Sequence, residues 1–400
     1  MNSPSEAAVG HSRLADAFEA GAAAGAMARD GAGSQPPLVA IVYGTVAYDQ
    51  NELLRGVRSA LPDTLLVGAS TQGISRPGAV EEIERVVGVA LLRSSRFGVQ
   101  AAQARHVSAD ARRAGRSLAE ALRAGGPAAA DDEPVMLWYD PTTRVDVAAL
   151  LQGLAEGGFP RIVGGGAGQP FGPAIKTYQY FQHETFSDGA VALRLPGARS
   201  VLELTSGVEP LGFDLTVTES AGNAIRAIDG QPALDVWVER LGGGRVHGYD
   251  TASWAFGVSL PESLRDAYEG PVPRAVFGFD ETTREILVQA PIPTGTRLQL
   301  CHRTPRAVFD RAIEMARRLK RRLAGERPVI ALSFECAARS APFLGEARAL
   351  EEVRRMQAEL GPGLPWLGTY AWGEIAPVGP QSYFQNYSFP LCVICDPLDD

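Results

Sequence analysis

A chain of 400 residues with 38 Lys and Arg against 46 Asp and Glu carries a formal charge of −8, which argues against a nucleic-acid backbone as main partner, since that needs a basic face. Four cysteines make no disulfide framework, and no stretch reaches the ~20 uncharged apolar residues of a membrane span. Asp16 and Glu19 interrupt the alanines of the N-terminus, so no secretory leader is read there, a cytosolic setting is expected, and the length implies two domains.

Residues 1–37 read as a flexible or helical lead, with one amphipathic helix over His11–Arg29. Leu38–Tyr43 is a continuous apolar run suited to a buried strand, and Asn51–Ala60 is a helix stopped before Pro62. Further strands are expected at Leu65–Ala69, Val86–Leu92, Gly98–Ala102 and Val135–Tyr139, with helices over Ser108–Arg123 and Val145–Leu154. Arg161-Ile162-Val163 breaks into Gly164-Gly165-Gly166-Ala167-Gly168, glycines dense enough to let the backbone approach a ligand or another strand closely. Strands come next at Ile175–Phe181 and Ala190–Leu195, and consecutive short strands here make the sheet mixed.

A boundary is expected near Ser206–Pro210. Beyond it come a hairpin signal around Ala221-Gly222-Asn223, a helix over Pro232–Leu241 ended by Gly242-Gly243-Gly244, and strands at Ser253–Ser259, Ala275–Phe279, Glu285–Gln289 and Thr296–Leu300. A long helix over Arg306–Leu323 carries a basic run, Arg317 to Arg322, on its solvated side. Val329–Cys336, a helix over Leu344–Leu360, Trp366–Trp372 and Tyr383–Ile394 close the chain. No short-period repeat is visible.

The glycine cluster does not satisfy G-x-G-x-x-G, and no G-x-x-x-x-G-K-[ST], G-x-S-x-G or H-E-x-x-H occurs. Cys392-x-x-Cys395 lacks a second ligand pair and sits on a strand-like run. Cys336 and His302 could in principle pair as nucleophile and base, but Cys336 reads better as a small buried hydrophobe. His11 falls in the lead, His106 beside a helix start and His247 after the triple glycine. His183, flanked by Phe181 and Phe186, has the aromatic setting in which an imidazole ligates haem iron, although the residues alone favour a structural histidine.

Two ordered sets of motifs carry a resemblance. LVAIVYG, LLVGASTQG and IVGGGAG followed by TYQYF and SDGAVAL resemble a FIST N domain, here 38–206. VTESAGNAIRAIDGQPALDVWVERLG, SFECAARSAPFLGEA and GTYAWGEIAP resemble a FIST C domain, here 207–400. The resemblance implies a stand-alone sensory protein that binds a small molecule such as an amino acid and signals through a separate partner. It also implies, by similarity to haem-binding nitric-oxide sensors that regulate a histidine kinase, that His183 is the candidate iron ligand, with Phe181 and Phe186 beside it. Where the family pattern is similar to His-Asn-x-Thr, this chain reads Gln385-Asn386-Tyr387-Ser388.

The expected fold is α+β, two domains each built on a mixed, mainly antiparallel sheet with packed helices. The expected function is a sensor and not an enzyme. A metal-free alternative places an amino acid or similar metabolite near Arg339, Glu374, Asn386 and Cys336, where Arg339 offers a planar fork for a carboxylate or, alternatively, pairs with Glu374 to fix the loops. A cysteine-dependent enzyme is the third and weakest reading.

Overall fold

A computed structural model describes residues 3–124, 129–170, 175–241 and 253–398. The protein is α+β, with three mixed six-stranded sheets and one seven-stranded antiparallel sheet. Among the described residues no helix is long and apolar enough to cross a membrane.

The three mixed sheets arise from one unit used three times. The first copy runs β1 (Glu6–Ser12), α1 (Ala17–Gly31), β2 (Pro37–Thr45), α2 (Gln50–Ala60), β3 (Leu65–Thr71), a hairpin β4 (Ile74–Arg76) and β5 (Ala79–Glu81), then β6 (Val87–Arg93). The second runs β7 (Gln100–Arg105), α3 (Ala111–Arg123), β8 (Val135–Tyr139), α4 (Val147–Glu156), β9 (Val163–Gly166), hairpin β10 (Gln179–Phe181) and β11 (Glu184–Phe186), then β12 (Gly189–Arg194). The third opens with β13 (Arg199–Thr205) and is then interrupted by β14 (Val208–Ala221), β15 (Ala224–Ile228), β16 (Gln231–Pro232), α5 (Ala233–Arg240), β17 (Trp254–Val258), β18 (Val272–Asp280), β19 (Glu285–Val288) and β20 (Arg297–Arg303). It resumes with α6 (Pro305–Arg322), β21 (Pro328–Cys336), a short α7 (Ala341–Leu344), α8 (Glu346–Leu360), β22 (Trp366–Ala371), hairpin β23 (Glu374–Val378) and β24 (Gln381–Gln385), and β25 (Phe389–Cys395).

In each copy a helix crosses between two parallel strands, β2 and β3, β8 and β9, β21 and β22. Each hairpin leaves its own copy and completes a neighbour's sheet: β4 pairs with β22, β10 with β3, and β23 with β9. The interruption begins with β14 at Val208, and strands from both sides of position 206/207 share two of the mixed sheets.

The interruption is a barrel. Its strand order is β14-β20-β17-β18-β19-β15, and the long β14 closes it by pairing with both β20 and β15. Trp237, Phe256 and Val217 fill it. The N-terminal lead differs from expectation, because Glu6–Ser12 is an edge strand against β6, with the small residues Ala8, Gly10 and Ser12 buried. The helix after it starts only at Ala17, where the Asp16 carboxylate caps the N–H of Glu19.

Candidate functional site

The C-terminal ends of the three parallel pairs converge, and their geometry is threefold. Val42 stands opposite Gly68, Leu137 opposite Gly164, and Ser333 opposite Gly368. A Cβ at Gly68 or Gly164 would lie 2.0 or 1.9 Å from the carbonyl oxygen of Val42 or Leu137. The glycines therefore serve strand-to-strand approach. One step beyond, the N–H of Gln72 donates to Tyr370 O (3.5 Å), that of Trp372 to Gly166 O (3.0 Å), and that of Gly168 to Ser70 O (2.9 Å). This cyclic ring ties copy one to three, three to two, and two to one. Three aromatic residues at matching positions, Tyr43, Trp138 and Phe334, pack together, with Trp138 Nε1 donating to Tyr43 Oη at 3.0 Å. All three are buried in one core.

Past this ring the third copy departs from the other two. Glu374 begins β23 directly after Trp372 and Gly373, and its side chain is fully buried in the seam between the third copy and the barrel. Glu374 Oε2 accepts from the N–H and Oγ of Ser388 at 3.1 and 3.0 Å, while Oε1 has no hydrogen-bond partner among the described residues. Burial, set against the Ser388 bonds and smaller hydrogen-bond contributions from the Cys336 thiol and the Gly373 backbone, pushes the carboxyl up to about 8. Directly across the hairpin lies Gln385, also fully buried, whose amide oxygen and nitrogen are both without partner among the described residues. Cross-strand partners point to one side of a sheet. The two side chains therefore lie on one side of the hairpin with three polar atoms that the described residues leave unsatisfied, atoms that an ordered water or a bound group would meet.

The side chains gathered around Glu374 are polar and aromatic. Arg303, at the end of β20, is stacked on Tyr387 at 4.0 Å and Phe343 at 4.4 Å, with its Nη2 donating to Ala338 O. Burial brings its guanidinium down to about 10. Cys336 and Cys301 share a small cluster with Tyr387. Burial holds the Cys336 thiol well above the ordinary range and pushes Cys301 up to about 12, so neither is a thiolate near neutrality. Tyr139 Oη donates to Trp372 O at 3.3 Å, and Tyr268 from the barrel packs against Ala376 and Val378 of β23.

Of the residues singled out in the sequence, Glu374 and Cys336 meet here. Asn386 stands next to the site and joins it to the barrel: its Oδ1 accepts from Ala275 N at 2.9 Å, and its Nδ2 donates to Gln289 Oε1 at 2.5 Å. Gln289 in turn donates to Trp372 O at 3.0 Å. Arg339 does not pair with Glu374. It is fully buried between Glu352 (3.0 Å) and Glu335 (3.4 Å), and its fork is engaged in an internal ion network. Tyr139, Tyr268, Arg303 and Gln385 were not among the sequence candidates. The signal for Gln385 lay in the QNYS departure itself.

His183 lies elsewhere, at the exposed turn of the β10–β11 hairpin. Phe186 is buried with its ring beneath the Arg105 guanidinium at 4.3 Å, and Phe181 is half-buried against the core. An exposed imidazole with one neighbouring ring already covered by arginine forms no apolar slot for a porphyrin, so these residues do not fit a haem site. His302 stacks on Trp254 at 4.4 Å, and its strand neighbour Cys301 points the other way, which removes the expected pairing of His302 with Cys336. Cys392 and Cys395 fall in different cores on opposite faces of β25 and are free thiols. His247 and the triple glycine lie outside the described residues.

Comparison with known families finds the FIST N domain over residues 39–231 and the FIST C domain over residues 233–377. An uncharacterized protein of Mycobacterium bovis is 26% identical over 98% of this chain and 99% of its own length, as is one from Mycobacterium tuberculosis. A second uncharacterized M. tuberculosis protein is 28% identical over 55% of this chain and 57% of its own.

Proposed function

Because the chain belongs to the FIST family, whose domains are sensory modules that bind small ligands in signal transduction, we propose that it senses a small amine-bearing metabolite of the amino-acid class in the seam around Glu374. The observation that carries this reading is the unpartnered, fully buried Glu374 Oε1 on the same side of the hairpin as the unpartnered amide of Gln385. An ammonium group at Oε1 supplies the missing donor and favours the ionised carboxylate. The Gln385 amide accepts from and donates to the rest of the ligand, and Arg303 supplies positive charge on the same side.

Binding there bears on two bodies at once, since Glu374 belongs to the third copy while Arg303 and Tyr268 belong to the barrel and its loops. A ligand that bridges them shifts the population of barrel positions, and a separate cytosolic signalling protein such as a kinase reads the difference. A thermal-shift panel of amino acids and small amines tests the reading. At least one compound is expected to raise the Tm of the wild-type protein and to leave Glu374→Gln unmoved. An equal rise in both proteins would contradict it.

A further inference from the structure

The third copy carries a buried acid at a register step where the other two carry none. Glu335 of β21 stands opposite Tyr370 there, whereas copy one has Gly44 opposite Ser70 and copy two has Tyr139 opposite Gly166. Phe334 points into the central core, so Glu335 faces the other way, toward α8. Arg339, on the short turn after β21, donates Nε to Glu335 Oε1 at 3.4 Å and Nη2 to Glu352 Oε1 of α8 at 3.0 Å. Glu335 is 2% exposed, and Arg339 and Glu352 are not exposed at all. Among the described residues Glu335 Oε2, Glu352 Oε2, Arg339 Nη1 and Tyr370 Oη have no hydrogen-bond partner.

Two carboxyls thus share one guanidinium out of contact with solvent. With both ionised, one negative charge is left over where burial disfavours it most, and a single bound proton removes it. The groups around the cluster do not supply the missing positive charge. Glu82, from the loop after β5, adds a further carboxylate, held on the Ala341 N–H at 2.9 and 3.2 Å. Burial keeps Tyr370 and Cys336 neutral. Arg303 is stacked on Tyr387 and Phe343, Arg317 and Lys320 of α6 engage Glu359 near the far end of α8, and Arg76 of β4 is paired with Glu81. Burial, and after it the charge of Glu352, raises the Glu335 carboxyl well above the ordinary 4.5, and burial raises Glu352 against the pull of Arg339.

The helix that carries Glu352 is built to move. Gly345 at φ +83° and Gly361 at φ +117° bracket α8, and a Cβ at either would meet no atom within 4 Å. Its buried residues are Ala349, Glu352, Val353 and Met356, so Glu352 is the charged anchor of an otherwise apolar face. We propose that Glu335, Arg339 and Glu352 form a proton-loaded latch, in which one proton shared by the two carboxyls keeps α8 on the sheet and its loss lets the helix open about the flanking glycines. Opening hydrates both carboxyls and returns them to about 4.5, so the open form releases the proton above that pH. The latch is therefore tightest in acid, and opening grows by up to about tenfold per pH unit until the closed form also loses its proton. Cys336 follows Glu335 and donates its N–H to Ser388 O at 3.0 Å, and Ser388 holds Glu374, so the latch borders the seam. It rests on its own groups and stands without the ligand assignment.

The test is native-state hydrogen exchange of the full chain at pH 6, 7 and 8, with rates corrected for intrinsic exchange. Protection of the α8 amides is expected to fall by up to about tenfold per pH unit, beyond any fall in α2, which reports unfolding of the whole body. Glu335→Gln should remove this excess, and Glu82→Gln should leave it in place. Glu352→Gln repeats the first arm should Glu335→Gln fail to fold by circular dichroism. Wild-type α8 tracking α2 at every pH would overturn the proposal. An excess that survives both Glu335→Gln and Glu352→Gln, or that Glu82→Gln abolishes, would overturn it too, since the proton would then belong to another group.

Discussion

At the scale of the residue, Glu374 couples stability to pH. Its carboxyl is pushed from an ordinary 4.5 up to about 8 by burial, so the folded protein holds a proton there that the unfolded chain releases above about pH 4.5. The contribution to stability is fully present at low pH, falls as pH rises between about 4.5 and 8, and falls no further above that. Glu374→Gln removes this loss. Urea unfolding at pH 5, 7 and 9 should therefore show the variant gaining on the wild type with rising pH, by on the order of 4 kcal/mol across the window, and parallel curves would contradict the burial argument. Arg339 gives the opposite lesson. Set between Glu335 and Glu352 with no exposure, it is a structural cation, and Arg339→Met should cost roughly 3–5 kcal/mol in stability by leaving two buried acids without their partner. The sequence offered Arg339 as a ligand fork because a lone arginine in a polar motif cannot be told from one already paired with acids on a neighbouring strand and helix.

At the scale of the element, long apolar strands and capped helices were legible, because burial on both faces writes continuous runs such as Leu38–Tyr43 and Val135–Tyr139. The swapped hairpins were legible only in part, β10 inside the run expected at Ile175–Phe181 and the end of β24 inside Tyr383–Ile394. Strands of three residues such as Ile74–Arg76 and Glu184–Phe186 leave too little periodicity, and β23 hides behind Pro377 and a leading glutamate. The single run expected over Tyr383–Ile394 is two strands, divided where Tyr387 takes φ 60°. The glycine cluster was read as room for a ligand or a strand, and the strand is what occupies it. Gly164→Ala would drive a methyl against Leu137 O at 1.9 Å and should destabilise the fold by about 3 kcal/mol or more. Denaturant titration checks this, and an unchanged midpoint would show that the β8–β9 pair can part without cost.

At the scale of the whole molecule, the threefold unit was invisible as a sequence repeat because the copies share little beyond a short signature. Leu66-Val67-Gly68, Ile162-Val163-Gly164 and Trp366-Leu367-Gly368 are its trace, ending on glycines that meet the partner's backbone at Gly68 and Gly164 and the Ser75 and Ser333 hydroxyls at Gly368. With the hairpins exchanged in a cycle, no copy is complete without its neighbour, and the body should unfold as one cooperative unit. The barrel is an addition to that body, entering after β13 and leaving before α6. Replacing residues 207–303 by a short Gly/Ser loop should leave a folded body with a lower Tm, since excision strips Tyr268, Gln289 and Arg303 from the seam. An unfolded product, by far-UV circular dichroism, would show instead that the barrel is part of the core.

The claim that joins these scales is that a ligand meets the Glu374 carboxyl in the seam. The measurement is calorimetric titration of the compound that raises Tm, repeated near pH 6.5 in buffers of different ionisation enthalpy. An ammonium group at Oε1 drives the carboxyl from neutral to ionised, so the apparent enthalpy should vary with the buffer, giving release of about one proton per site that vanishes above pH ~8 and in Glu374→Gln. A binding enthalpy independent of buffer would mean that the ligand does not meet this carboxyl, and the site would have to be sought elsewhere.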